Sequence, residues 1–270
     1  MNKKKIFYLV LILSFSFIVN LSAKEKLVVL ESKNLPSADS ILIVTPENFN
    51  NDSTYSLVIL LHGYSGNFLQ WNNIANLQDY ANAYNFIIAC PDGFYDSWYL
   101  NSTLKPELQF EDFFWKDFIP YLNQNYKIDS SNIFISGLSM GGHGAITLFL
   151  KNSDFFRSAG STSGILDLTY FPDRWSIKNG IGSIKDYPKI WKNNSAYYLL
   201  DKNNLEGKKI IVDCGTEDFA YQVNLNFVKK CYDIGSEVLF YSQPGNHNRD
   251  YWEMMLPKHL KFFYKQQLKN

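Results

Sequence analysis

Apolar positions along this chain fall into short continuous runs and longer stretches with helical spacing. Runs such as Leu57-Val58-Ile59-Leu60-Leu61 and Ile210-Ile211-Val212 leave no polar position for water on either face. They predict strands covered on both sides, as in a parallel sheet flanked by helices. Taken in order, the apolar, β-branched and aromatic runs give about eight strands, at residues 26–31, 40–44, 57–61, 86–90, 132–136, 158–162, 209–213 and 237–241, alternating with helical patterns. The first two are more polar and close in sequence, as an antiparallel edge would be. Phe113, Phe114, Phe118, Tyr121 and Leu122 recur at helical spacing and read as core, with Pro120 expected to kink their helix. Residues 166–205 break the rhythm, with Trp175, Trp191, Tyr197 and Tyr198 set among prolines, glycines and charges. Such an insertion after a strand predicts a cap over a substrate pocket, or equally a loop whose aromatic underside packs on the domain.

Composition bounds this picture without changing it. A chain of 270 residues, 46% hydrophobic and 17% aromatic, can bury one large α/β core, and no repeat or linker divides it after residue 23. Formal net charge is zero and the lysines are scattered, which argues against a nucleic-acid partner. Oligomeric state is not legible. The N-terminus runs Met1-Asn2-Lys3-Lys4-Lys5, then an apolar stretch over 6–19, then Leu21-Ser22-Ala23 before Lys24. That order predicts a signal peptide over residues 1–23, cleaved after Ala23. The apolar stretch is shorter than the roughly 20 residues a spanning helix needs. The expected mature domain, residues 24–270, is then periplasmic or secreted, with no stable membrane association.

Three cysteines, Cys90, Cys214 and Cys231, permit at most one disulfide and read as small buried thiols. The four histidines, His62, His143, His247 and His259, lie far apart and outside any C-x-x-C or H-E-x-x-H pattern, so no metal site is expected.

Candidate chemistry centres on Gly137-Leu138-Ser139-Met140-Gly141, entered from the run Asn132-Ile133-Phe134-Ile135-Ser136 and left through a helix-forming stretch. A serine raised on a sharp strand-to-helix turn needs small residues two positions before and after it, because the backbones there approach closely. Ser139 is therefore the candidate nucleophile. A serine hydroxyl needs a base, and the base an orienting acid. After the strand at 209–213, Cys214-Gly215-Thr216-Glu217-Asp218 presents carboxylates at a strand's end; Asp218 is the candidate acid, with Glu217 and Asp213 as rivals. After the strand at 237–241, Gln243-Pro244-Gly245-Asn246-His247 places the candidate base, His247, in a loop. Taken alone, each of these residues reads as a turn, cap or core residue. The order Ser, Asp, His is what lifts them above that reading. An oxyanion needs two fixed donors: the N–H of Met140, and one from the glycine-bearing loop His62-Gly63-Tyr64-Ser65-Gly66, assigned to Tyr64. His62 is expected to brace that loop. Trp98, in a loop that should border the site, is a candidate substrate-binding residue for a sugar or phenolic group, with core packing as the alternative.

Together, His62-Gly63-Tyr64-Ser65-Gly66, Pro91-Asp92-Gly93 with Trp98-Tyr99, Gly137-Leu138-Ser139-Met140-Gly141-Gly142-His143-Gly144, Gly215-Thr216-Glu217-Asp218 and Gly245-Asn246-His247 resemble the esterase D-type esterase family. That group includes S-formylglutathione hydrolases, feruloyl and acetyl-xylan esterases, tributyrin esterases and mycolyltransferases. The resemblance implies an α/β-hydrolase fold, no cofactor, and Ser139, Asp218 and His247 as triad. The expectation is a serine esterase working through an acyl-enzyme on a small-molecule or polysaccharide-linked ester. The alternatives are an acyltransferase with the same triad and a non-catalytic carbohydrate- or envelope-binding protein on a hydrolase scaffold.

Overall fold

A computed structural model describes residues 25–268, so the expected signal peptide lies outside the described residues. Eight strands form one sheet: β1 (Glu25–Leu30), β2 (Asp39–Val44), β3 (Tyr55–Leu61), β4 (Phe86–Pro91), β5 (Ile128–Gly137), β6 (Ser158–Thr162), β7 (Lys209–Gly215) and β8 (Glu237–Gln243). They lie side by side in the order β1-β2-β4-β3-β5-β6-β7-β8. β1 and β2 pair antiparallel, as do β2 and β4; every later pairing is parallel. β1 and β8 are the edge strands, and Leu27 and Val29 of β1 are exposed.

The central strands sort their side chains by the period of two that extended backbone imposes. In β3, Leu57, Ile59 and Leu61 join the core on the face covered by the helix Met140–Lys151. Val58 and Leu60 join the opposite core, with Trp71 and with Leu256, Leu260 and Phe263 of the C-terminal helix Arg249–Gln266. Both faces are dry, which is why the sequence shows runs there rather than alternation. Because β3 and β5 to β8 are parallel, the loops that follow them open on one edge of the sheet, and the candidate residues gather there.

Two departures from regularity follow from single residues. The expected irregularity near Pro120 is a π-helical turn, Phe114–Phe118, between the helices Phe110–Phe113 and Ile119–Asn125. Pro120 has no N–H to donate, and the Ile119 N–H beside it reaches back five residues to the Phe114 carbonyl. The insertion at 166–205 is anchored rather than loose: Leu166, Leu168, Ile181 and Trp191 are fully buried, and Trp191 Nε1 donates to the Gly182 carbonyl at 3.0 Å. Near its start, Phe171 and Trp175 pack against Phe219, which stacks beside the His247 ring.

Candidate active site

Ser139 lies between β5 and the helix Met140–Lys151 with φ 54° and ψ −115°, a conformation that costs an L-residue energy and turns the side chain out of the sheet. The turn closes only because its flanks are glycine. A Cβ on Gly137 would lie 2.3 Å from the Gly141 carbonyl group, and one on Gly141 would lie 2.2 Å from the Leu61 oxygen. The Ser139 N–H is held at 2.9 Å by the Thr162 carbonyl of β6.

His247, after β8, brings Nε2 to 2.9 Å from Ser139 Oγ. Its Nδ1 lies 2.9 and 3.0 Å from the two carboxylate oxygens of Asp218, after β7. The Asp218 side chain is fully buried, and its Oδ1 also accepts the Ala220 N–H at 2.8 Å. The carboxylate has no proton to give, so Nδ1 donates and Nε2 keeps its lone pair toward the serine.

The two rival carboxylates are otherwise engaged. Glu217 accepts the Gly245 N–H at 2.5 Å while its own N–H donates to the Gly245 carbonyl, pinning the loop that carries His247; the bond from Gly245 holds its carboxyl below the usual range. Asp213 is fully buried beneath the elbow, its Oδ2 2.6 Å from His259 Nε2 and 3.0 Å from Thr162 Oγ1. Burial pushes its pKa up, and the bond from His259 opposes that. Ser136 Oγ closes this set at 2.8 Å from His259 Nδ1, so one buried network ties β5, β6 and β7 to the C-terminal helix. The His259 ring fits because the β6 residue it faces is Gly160, whose Cβ would lie 2.5 Å from Nδ1.

In the loop after β3, Gly63 donates to Gln70 Oε1, Ser65 to the Tyr95 carbonyl and Gly66 to the Gly63 carbonyl, which leaves Tyr64 without a partner among the described residues. Met140 is the first residue of its helix, where an N–H has no intrahelical acceptor and the helix dipole favours negative charge. His62 braces the loop: Nδ1 lies 2.8 Å from the Gly63 carbonyl, and Nε2 accepts the Gly93 N–H at 2.7 Å. His143 is fully buried, bonded to the Asn194 carbonyl of the insertion at 2.6 Å, and burial lowers its pKa to about 4. All three cysteines are free and buried; burial holds the Cys90 and Cys214 thiols far above their usual range and pushes Cys231 up to about 12. Among the described residues no cluster of His, Cys, Asp and Glu could hold a metal ion.

Trp98 requires a correction. It is 2% exposed, its ring packs edge-on against His143, and its Nε1 donates to the Trp175 carbonyl at 3.1 Å, so it supports the rim rather than meeting a substrate. With φ of 55° and 58°, Trp98 and Tyr99 turn the chain inward, and the Tyr99 hydroxyl reaches the His62 carbonyl at 2.9 Å. The aromatics that do face the site are Phe219 and Trp175. Phe219 is half exposed, 4.4 Å from the His247 ring, and Trp175 lies 5.3 Å beyond it, backed by Phe171. On the other side of His247 stands Trp252, edge-on at 5.2 Å. Phe219 was reachable from sequence, because it follows Asp218 directly, and Trp175 stood among the aromatics of the insertion; Trp252 carries no local signal.

A family model described as "Putative esterase" matches residues 32–263. An acetyl esterase of Caldicellulosiruptor saccharolyticus is 28% identical over 243 residues, covering 82% of this chain and 91% of that protein. The substrate-bound fluorophosphonate-binding serine hydrolase F of Staphylococcus aureus superposes with a TM-score of 0.77 at 26% identity, covering 89% of this chain and 98% of the other. A ferulic acid esterase superposes with a TM-score of 0.78 at 25% identity, covering 90% and 98%.

Proposed function

The chain belongs to the family of that model and is a serine carboxylic-ester hydrolase with an α/β-hydrolase fold, and from that premise we propose that Ser139, His247 and Asp218 are its triad and that its substrates are esters with an aromatic or small acyl group borne on a polysaccharide. Ser139 Oγ attacks the ester carbonyl while its proton passes to His247 Nε2; Asp218 fixes the tautomer that can accept it and stabilises the imidazolium. The N–H groups of Met140 and Tyr64 hold the oxyanion. As the intermediate collapses, His247 returns the proton to the departing alkoxide, and a water activated by the same histidine then releases the acid. The observation that carries this reading is the unbroken chain of bonds from Ser139 through His247 to Asp218, at 2.9 and 2.9 Å.

Phe219 and Trp175 support the acyl preference, because Phe219 covers one side of the His247 ring with Trp175 packed beyond it, where a planar acyl group could lie. The acetyl esterase and ferulic acid esterase relatives act in the same range of chemistry by name. Export, expected from residues 1–23, fits a substrate outside the cell; protein recovered from a secreting host should begin at Lys24. The test is a panel of acetyl, butyryl and feruloyl esters against the mature chain and its Ser139→Ala variant. Loss of several orders of magnitude in a folded Ser139→Ala protein is expected, and near wild-type turnover by that variant would refute the assignment.

A further inference from the structure

His247 stands between two unlike surfaces. Phe219 covers one side; Trp252 borders the other, where a cavity of about 290 Å³ opens beside the oxyanion loop. Its lining includes Asn67, Gln70, Asn73, Ile74, Arg249 and Trp252, and it begins at Gly66, where that loop ends. Gln70 joins the two places directly: its Oε1 accepts the Gly63 N–H at 2.7 Å while its side chain faces the cavity. Arg249 is exposed, and its Nη2 donates to the Asn73 carbonyl at 2.5 Å, which fixes one edge of the guanidinium. Among the described residues it forms no ion pair with a carboxylate, and no acidic residue lines the cavity.

We propose that this cavity is the subsite for the alcohol part of the substrate, and that it selects a sugar leaving group carrying a carboxylate, bound by Arg249. The inference rests on the esterase reading above and adds a substrate class to it. A guanidinium has five N–H donors in a planar fork that matches a carboxylate bidentately, and only one is committed to Asn73. The side-chain amides of Asn67, Gln70 and Asn73 supply donors and acceptors of the kind that hydroxyl-rich groups use, and Trp252 supplies an apolar ring. An esterified aromatic acyl group carries no charge for Arg249 to bind, whereas a uronic-acid ring offers a carboxylate to the guanidinium and hydroxyls to the amides. Sharing out the two surfaces this way leaves the acyl group against Phe219 and the charged part beside Arg249.

The test compares kcat/KM on two substrates with one acyl group and leaving groups that differ in charge, acetylated galacturonic acid and acetylated galactose. A charge-assisted bidentate bond predicts that the wild type favours the galacturonic acid ester by about tenfold or more, and that Arg249→Gln brings that ratio near one, chiefly through KM. A wild-type ratio below about threefold, or a preference that survives Arg249→Gln, overturns the proposal. If no ester is cleaved, the esterase reading fails instead, and calorimetric titration of Ser139→Ala with galacturonate decides the cavity separately. Binding that disappears on adding Arg249→Gln supports the subsite; no binding of galacturonate overturns it.

Discussion

Replacing Asp218 by Asn separates the acid assignment from its two rivals, and the structure dictates which way the new amide turns. Asp218 Oδ1 accepts the Ala220 N–H at 2.8 Å, so that position demands an acceptor. The substituted side chain must therefore place its carbonyl oxygen there and its NH2 at the Oδ2 position, 2.9 Å from His247 Nδ1. That NH2 meets the Nδ1–H donor head-on and leaves it only the oxygen at the Oδ1 position, 3.0 Å away and already shared with the Ala220 N–H, so the imidazole shifts toward the tautomer with its proton on Nε2, presenting N–H to Ser139, 2.9 Å away. A base that already carries its proton accepts none. The opposite amide orientation sets NH2 against the Ala220 N–H in a buried place, a comparable penalty. Loss of the carboxylate also removes the charge that balances the imidazolium. The expected fall in kcat is about 10⁴-fold, equivalent to about 5 kcal/mol of transition-state stabilisation.

The same argument exempts Glu217 and Asp213. Glutamine in place of Glu217 keeps a carbonyl oxygen to accept the Gly245 N–H, so Glu217→Gln should stay within about tenfold of wild type. Asp213 bonds His259 and Thr162 but no triad side chain; Asp213→Asn should lose about 1–3 kcal/mol of stability from a mispaired buried site, read as a lowered Tm, with a much smaller loss in kcat than Asp218→Asn. Stopped-flow acylation with 4-nitrophenyl acetate, alongside circular dichroism for folding, makes the comparison. Glu217→Gln as the crippling change, or a folded Asp218→Asn variant within about tenfold of wild type, would refute the reasoning.

Other expectations follow from single contacts. Gly141→Ala drives a Cβ to 2.2 Å from the Leu61 oxygen, and should cost about 3 kcal/mol, a fall in Tm of roughly 6–12 °C by calorimetry, with loss of activity as the elbow shifts. Phe219→Ala should lower kcat/KM for a feruloyl ester relative to an acetyl ester by about tenfold, since the small acyl group has less ring surface to lose. His143, held near pKa 4 by burial, binds its proton more weakly folded than unfolded, so it subtracts stability as pH falls from about 6.5 to about 4; urea midpoints of wild type should drop across that window more steeply than those of His143→Gln.

The sheet was legible because its signal is local and strong. Runs buried on both faces, such as β3 and β4, cannot be mistaken for surface segments, and the observed strands fall on the expected ones with ends displaced by a few residues. β5 is the largest displacement: it begins at Ile128, four residues early, through a polar stretch whose pairing is set by Tyr55 across the sheet rather than by its own pattern. The candidate triad was legible for a different reason, since each member follows a strand end and parallel topology carries strand ends to one edge.

What sequence did not fix was which aromatics face outward. Trp98 and Trp175 look alike in sequence, each a tryptophan in a loop after a strand. Both have a left-handed backbone, but Trp98 is drawn inward beside Tyr99, which fills the space above Gly93 and Gly144, where a Cβ would lie 2.3 and 2.4 Å from the ring. One small residue that makes that burial possible, Gly93, lies six residues before the tyrosine, but the other, Gly144, lies far along the chain in the helix after the elbow. Trp175 comes to the surface because the insertion's buried anchors, Leu168 and Ile177 on either side of it, take the interior positions first. The surfaces on the two sides of His247 differ because of which side chains the core excluded: one carries Phe219 backed by Trp175, the other Trp252 with amides and an arginine.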